Sequence, residues 1–200
     1  MQPNPTEMMT DTMETETTMP QEMVVNGMSV TRLMETIAAI RSQPELADFK
    51  FRAKNQWLEG GHNRATIDDF YGTSRELRHE KPFVLDCDEP PVLLSGDKGA
   101  NPVEYLLTAL SGCMTTTLAF HAASRGLNME SIESEYEGDV DMHGFLDLDP
   151  EVRKGYKEIR VKFKVQGDAD EATIEELLKK SPVFDALTNP VPVKIVVEKQ

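Results

Sequence analysis

The stretch from Gly99 to Gly126 (GANPVEYLLTALSGCMTTTLAFHAASRG) constrains this chain most, because no formally charged side chain lies between Glu104 and Arg125. Asn101 is a favourable helix N-cap, a proline follows it, and Glu104 occupies the capping-box position. These signals predict a helix about 35 Å long at ~1.5 Å per residue. A domain of this size cannot bury such a rod on every side. We therefore predict a central helix that a second copy of the chain helps to cover.

Length, charge and cysteine content limit the classes of function. Two hundred residues suit one domain with an appendage, and the formal net charge of −14 argues against a nucleic-acid or anionic-membrane surface. Two cysteines, Cys87 and Cys113, do not make a disulfide framework. The first residues lack the pattern of a signal peptide, so we expect a cytoplasmic protein. The central helix is long enough to span a bilayer, but its polar residues, such as Ser111 and His121, favour a core helix.

The composition divides the chain into three segments. Residues 1–22 contain Met, Thr, Pro and Glu without Lys or Arg, which predicts a disordered tail. Residues 23–45 form a helical extension, in which Ser29 caps a helix over residues 30–42 with apolar side chains at helical spacing. Residues 46–200 form the main domain.

Period-two patterns on both sides of the central helix predict strands. Before the helix they cover residues 49–57, 62–70 and 82–88, and after it residues 132–142, 158–166 and 191–197. Two further helices are predicted over residues 167–180 and from Ser181-Pro182 onward. Few of these strands are joined by crossover helices, so the sheets should be mainly antiparallel and the fold class α+β.

Cys113 is the candidate nucleophile, and its ordinary alternative is a buried apolar residue. A reactive thiolate needs a neighbouring cation or hydrogen-bond donor, and no basic residue lies within two helical turns of Cys113. His121 is about 12 Å farther along the helix axis, too far for a dyad, and we interpret it as a core or interface histidine. The four histidines lack metal-ligand spacing, so we predict neither a metal nor a cofactor.

The run N-P-V-E-Y-L-L-T-A-L-S-G-C resembles the N-P-x-E-L-L-x-A-x-x-x-C motif of the OsmC/Ohr family, whose names stand for osmotically induced protein and organic hydroperoxide resistance protein. The later segments A-S-R-G-L and S-P-V-F-D-A-L also match that family's layout. The resemblance covers the chain from about Phe49 to its end. It implies an intertwined homodimer in which curved antiparallel sheets wrap two long central helices, with the active site at the dimer interface.

The resemblance also implies roles for particular residues. Cys113 corresponds to the cysteine that attacks a hydroperoxide, and Arg64, on the hairpin after Gly60-Gly61 and near His62, is the approximate counterpart of the family's loop arginine. The family's second cysteine falls on Ser181, and its glutamate falls on Val103. Glu104, next to Val103, is then a weaker candidate for the glutamate.

Two functions follow as hypotheses. The first is thiol-dependent reduction of organic hydroperoxides through Cys113 in oxidative-stress defence, with Arg64 and Glu104 as partners of the thiolate. Since Ser181 cannot form a disulfide, the sulfenic acid would need an external thiol, or Cys87 if the fold brings it near. The second is a non-catalytic module that binds a hydrophobic or thiol ligand at the dimer interface.

Overall fold

The computed structural model describes residues 22–199. The predicted disordered tail therefore lies outside the described residues, except for residue 22. The strands and helices are β1 (Val24–Val25), β2 (Met28–Ser29), α1 (Val30–Ser42), β3 (Lys50–Phe51), β4 (Lys54–Glu59), β5 (His62–Gly72), β6 (Arg75–Cys87), α2 (Pro102–Ser124), β7 (Met129–Asp139), α3 (Met142–Phe145), β8 (Glu158–Gly167), α4 (Glu171–Leu178) and α5 (Pro182–Thr188), with short 3₁₀ turns at Pro44–Ala47 and Pro91–Leu93. The predicted α+β class with antiparallel sheets is confirmed.

The amino-terminal extension contains the predicted helix and is tied to the main domain. The Ser29 hydroxyl accepts a hydrogen bond from the backbone N–H of Arg32 and caps α1. In the turn before it, the Asn26 side chain donates to the Leu127 carbonyl at 3.1 Å and accepts from the Met129 N–H at 2.8 Å. These two bonds fix the extension beside the end of α2.

The first sheet places β5 between β6 on one side and β3 and β4 on the other, all antiparallel. The strand predicted over residues 82–88 is the second half of the longer β6, because the predicted return strand continues to Gly72 and a turn at Thr73-Ser74 reverses the chain. Both turn residues have a positive φ, which the sequence pattern did not indicate. On one face the rings of Phe49, Phe51, Phe70, His79 and Phe83 form a chain with centroid separations between 4.9 and 5.9 Å.

The long central helix is confirmed as α2. Its capping box is complete, with the Asn101 side chain accepting from the Val103 N–H and the Glu104 carboxylate accepting from the Asn101 N–H. One side of α2 is buried at four-residue spacing through Leu110, Met114, Leu118 and Ala122. That side packs against β7, α4 and α5, which is the environment of a core helix, although α2 is also long and apolar enough to cross a membrane by length and composition alone.

The second sheet consists of β7 and β8, and its outer face carries ion pairs between an acidic and a basic strand. The prediction that the first of these strands reaches residue 142 is wrong. It ends at Asp139 because the Asp141 carboxylate accepts the N–H of His143 and caps the short helix α3. The helix predicted over residues 167–180 is also shorter in the structure. Asp170 is its N-cap, so α4 begins at Glu171.

The strand predicted over residues 191–197 is not formed within the described chain. Residues 191–199 have no regular structure there and all are exposed. A strand needs a neighbour to accept and donate its backbone hydrogen bonds, and this segment pairs with no strand among the described residues. The alternation of apolar residues in this segment is therefore not sufficient to form a strand within the single chain.

Candidate functional site

The amino-terminal end of α2 is held against the end of β6. The backbone at Gly99 passes so close to Asp86 that a Cβ there would lie 2.0 Å from the Asp86 carbonyl oxygen, so only glycine fits. The Tyr105 hydroxyl donates to the same carbonyl at 2.9 Å. From the other side, the Tyr156 hydroxyl donates to the Val103 carbonyl at 2.8 Å. These contacts determine where the first turns of α2 lie.

Asp88 organises the loop that leads into α2. Only 1% of this residue is exposed, and its carboxylate accepts hydrogen bonds from the Ser95 hydroxyl and from the backbone N–H groups of Glu89, Gly96 and Lys98. The Ser95 bond, followed by the backbone donors, lowers the pKa of Asp88 from its usual 3.8 to about 2. Asp88 is fully satisfied inside the loop, which makes it a structural residue.

A cleft of about 420 Å³ lies between the first half of α2, the start of β8 and α5. Its apolar wall is formed by Leu106, Leu110, Ile159, Val161, Phe184 and Leu187. Arg153 and Lys157 stand among the polar residues that line it. Lys157 pairs with Asp141 at 2.6 Å, whereas Arg153 makes no ion pair within residues 22–199. The cleft could hold an organic molecule with an apolar body and an anionic or polar end.

Cys113 is half-buried and lies one helical turn beyond the cleft. Leu106, Leu110 and Cys113 follow the spacing i, i+4 and i+7, which places them on the same side of α2. The thiol therefore neighbours the apolar wall without lining the cleft. Next to it, on the buried face of α2, the Met114 sulfur accepts a hydrogen bond from the Tyr136 hydroxyl at 3.9 Å.

Ser181, at the position of the family's second cysteine, is fully buried. Its hydroxyl accepts from the Phe184 N–H at 3.2 Å and so caps α5. The expected helix start at Ser181-Pro182 is confirmed, and the side chain has a structural use there.

The structure gives the two predicted partners of the thiolate other contacts within the chain. Arg64 lies on β5 and binds the Asp86 carboxylate through two hydrogen bonds, of 2.9 and 3.0 Å. His62 binds the same carboxylate at 3.0 Å. Arg64 and then His62 lower the pKa of Asp86. Glu104 is the capping-box residue described above, so one chain does not assemble Cys113, Arg64 and Glu104 through direct hydrogen bonds.

Burial shifts the pKa values of two further titratable residues, Cys87 and His121. Burial, with Asp86 beside it, raises the pKa of the Cys87 thiol, which makes that thiol less reactive at neutral pH than a free cysteine. Burial lowers the pKa of His121, and Lys180 and Arg125 add to that effect. Within the described part of the chain, no cluster of three or more His, Cys, Asp or Glu residues could hold a metal ion.

Sequence reasoning missed several residues that build this region. Tyr105 and Tyr156 position α2, Asp88 organises the preceding loop, and Arg153 is a cation in the cleft without an ion pair among the described residues. Tyr105 lies within the N-P-V-E-Y-L-L run, so the sequence offered a signal for its role in positioning α2. Tyr156 contacts Val103 from a segment that is distant in sequence, for which the pattern carries no signal, whereas Asp88 acts within its own loop.

Comparisons with known proteins agree with this architecture. The model of the family described as OsmC-like protein matches residues 95–196. The crystal structure of an OsmC-like protein from Mycoplasma pneumoniae superposes with a TM-score of 0.53 at 17% identity, covering 70% of this chain and 89% of that one. An OsmC-like protein of unknown function from Vibrio cholerae gives a TM-score of 0.50 at 12% identity, covering 68% and 92%. These identities establish likeness of fold alone. No curated protein matches the sequence.

Proposed function

This chain belongs to the OsmC-like protein family, and on that premise we propose that it reduces organic hydroperoxides with the thiol of Cys113. The observation that carries the proposal is the position of Cys113: it is partly exposed, on the same side of α2 as the apolar cleft and one turn away from it. An organic hydroperoxide with an apolar body could occupy the cleft and direct its peroxide group toward the sulfur.

The chemistry requires one thiol of this chain and two from outside it. The Cys113 thiolate attacks the terminal hydroperoxide oxygen, an S–O bond forms, the O–O bond breaks, and the leaving alkoxide takes a proton to become an alcohol. Cys113 is oxidised to a sulfenic acid. An external thiol then condenses with it and releases water, and a second thiol attacks the mixed disulfide to regenerate Cys113. Ser181 has no sulfur, and the raised pKa of Cys87 makes that residue a poor substitute.

We also propose that the working form is a homodimer. The side of α2 opposite its buried face is exposed through Thr108, Gly112, Thr116 and Phe120. The aromatic face of the first sheet is open as well, with Phe51 78% exposed, and no helix packs along that sheet in residues 22–199. Packing of the aromatic face of one copy's first sheet against the exposed side of α2 in the other copy would cover both surfaces. In such a dimer, residues of one copy can approach Cys113 of the other.

A binding function without turnover is the second candidate, and one observation favours it. The side chains expected to activate the thiolate, Arg64 and Glu104, are bonded to Asp86 and to the Asn101 N–H. A cleft with an apolar wall and the cation of Arg153 can bind a ligand without any help from Cys113.

A peroxidase assay separates the two candidates. The purified protein is given cumene hydroperoxide with dithiothreitol or dihydrolipoamide, and hydroperoxide loss is followed. Cys113→Ser should abolish the catalysed loss, whereas the matched variant Cys87→Ser should retain it. Absence of turnover in the wild-type protein, together with saturable binding of an apolar fluorescent probe that Leu106→Arg abolishes, would favour the binding function.

A further inference from the structure

The amino-terminal extension begins with a tight turn that contains the one asparagine of the sequence that a glycine follows. Strands β1 and β2 pair with Val25 opposite Met28, so Asn26 and Gly27 form a two-residue hairpin loop. Both residues have a positive φ, 54° and 74°, as in a type I′ turn, which favours this residue pair. No other atom lies within 4 Å of the place that a Cβ of Gly27 would occupy. The backbone nitrogen of Gly27 therefore has no side chain to shield it from the Asn26 amide.

The side chain of Asn26 attaches the extension to the main domain. Its Nδ2 donates to the Leu127 carbonyl at 3.1 Å, and its Oδ1 accepts from the Met129 N–H at 2.8 Å. Within the described chain, no other hydrogen bond joins residues 23–45 to residues 50–199. The attachment therefore needs an amide at position 26, because only an amide can both donate and accept there.

The surroundings of this amide are unsuited to a carboxylate. The Asn128 N–H, which lies between the two backbone groups that Asn26 binds, already donates to the Asp168 carboxylate at 3.0 Å. A carboxylate at position 26 would keep the bond from Met129 but would direct an oxygen without a proton at the Leu127 carbonyl oxygen. Two acceptors that face each other repel and leave both unsatisfied. Replacing the amide by an acid therefore weakens the attachment of the extension.

We propose that Asn26 is a deamidation site and that its conversion releases the extension from the main domain. The backbone nitrogen of Gly27 attacks Cγ of Asn26, a C–N bond forms, the bond to Nδ2 breaks, and Nδ2 leaves as ammonia with the proton of the Gly27 nitrogen. Water then opens the cyclic imide at either of its carbonyl groups and gives aspartate or isoaspartate. Water is the only co-reactant, and the reaction is independent of the chemistry at Cys113.

The fold controls when this reaction occurs. In the intact turn both ends of the Asn26 amide are bonded, so the amide must leave Leu127 and Met129 before Cγ can turn toward the Gly27 nitrogen. Conversion therefore takes place in molecules whose hairpin has detached, and it makes the detachment permanent. Isoaspartate also lengthens the main chain by one atom, which a two-residue turn does not accommodate. The site is thus a one-way release of α1.

Peptide mapping of the aged full-length protein tests the site. The protein is kept in mildly alkaline buffer, since base removes the proton of the Gly27 nitrogen, and mass spectrometry locates the gain from an NH₂-to-OH exchange. Asn26 should convert before any other asparagine; three of the others, Asn4, Asn101 and Asn189, precede proline, whose nitrogen has no proton to lose. Earlier conversion at another asparagine, or an unchanged Asn26 while the urea-unfolded chain converts, overturns the proposal.

Amide hydrogen exchange tests the release. Asn26→Asp supplies one product directly, and Gln43→Glu is the matched control, because it makes the same amide-to-acid change in the extension at an exposed position outside the turn. A detached helix of 13 residues is barely stable in water, so exchange in α1 reports detachment.

The amides of α1 should exchange about tenfold faster in Asn26→Asp than in the wild type, as expected for one lost hydrogen bond that leaves an acceptor unsatisfied. The control should stay within about twofold of the wild type. Unchanged protection of β7 and β8 in both variants shows that the main domain is folded. Exchange of α1 at the wild-type rate in Asn26→Asp, or an equal acceleration in the control, overturns the proposed release.

Discussion

The two halves of this molecule differ in how completely a single chain builds them. In the carboxyl-terminal half, α2 lies on β7, α4 and α5, and Leu118 and Leu177 are fully buried. In the amino-terminal half, a sheet of similar pattern exposes its aromatic face, and Phe51, Trp57 and Phe83 are each more than half exposed. Both halves contain strands in which apolar and polar residues alternate. Burial therefore depends on whether a second layer is available in the same chain.

The largest expected effect is in the carboxyl-terminal half, where the chain's own elements cover α2. Leu118→Ala should lower the free energy of unfolding by about 2–5 kcal/mol, because it removes buried methyl groups and leaves a cavity in a core that is fully enclosed. Urea denaturation measures the change. Glu130→Ala, at an exposed position of β7, is the control and should change the stability by less than about 0.5 kcal/mol. An equal effect at both positions would contradict the assignment of Leu118 to the core.

The amino-terminal half, whose aromatic face is exposed, gives the sharpest test of the proposed dimer. In an isolated chain, Phe51→Ala should cost little because the ring is exposed, but in the proposed dimer it should cost about 2 kcal/mol and shift the midpoint of dissociation. Analytical ultracentrifugation over a dilution series measures this. Arg75→Ala, an exposed residue at the start of β6, is the control. A wild-type protein that stays folded as a monomer at micromolar concentration would refute the dimer.

A smaller effect is expected at the two serine caps, one in each half. Ser29 and Ser181 accept the same kind of bond, from the N–H three residues later, both at 3.2 Å. Ser181→Ala should cost about 1 kcal/mol or more because its hydroxyl is buried, whereas Ser29→Ala should cost less. Thermal unfolding of both variants measures the difference. A larger loss at Ser29 would contradict the assignment of the carboxyl-terminal half as the closed one.

A pH-dependent effect is expected in the loop before α2. The pKa of Asp88 is about 2 in the folded protein and lies near 3.8 when unfolded, so its carboxylate contributes stability that is complete above about pH 4 and is lost as the pH falls toward 2. Asp88→Asn should therefore be less stable than the wild type at pH 7, and the gap should narrow below pH 4. Glu130→Gln, at an exposed position, is the control and should show no such narrowing.

Much of the fold could be predicted from local chemistry. The caps Ser29, Asn101 and Ser181 correctly mark where α1, α2 and α5 begin, because the bonds of a cap involve only neighbouring residues. Two errors concern strand pairing: β6 begins seven residues earlier than predicted, and residues 191–197 form no strand in the described chain. Pairing of strands depends on which edges meet, and alternation alone does not contain that information.

The candidate site divides in the same way. Local sequence patterns were enough to predict that Cys113 lies on a long uncharged helix and that serine replaces the second cysteine of the resemblance. The folded structure was needed to see that Ser181 is buried as a cap, that Arg64 is bonded to Asp86, and that an apolar cleft opens one turn from the thiol. The reason is physical: residue types and helix period are local properties, whereas burial and ion pairing depend on groups that folding brings together from distant parts of the chain.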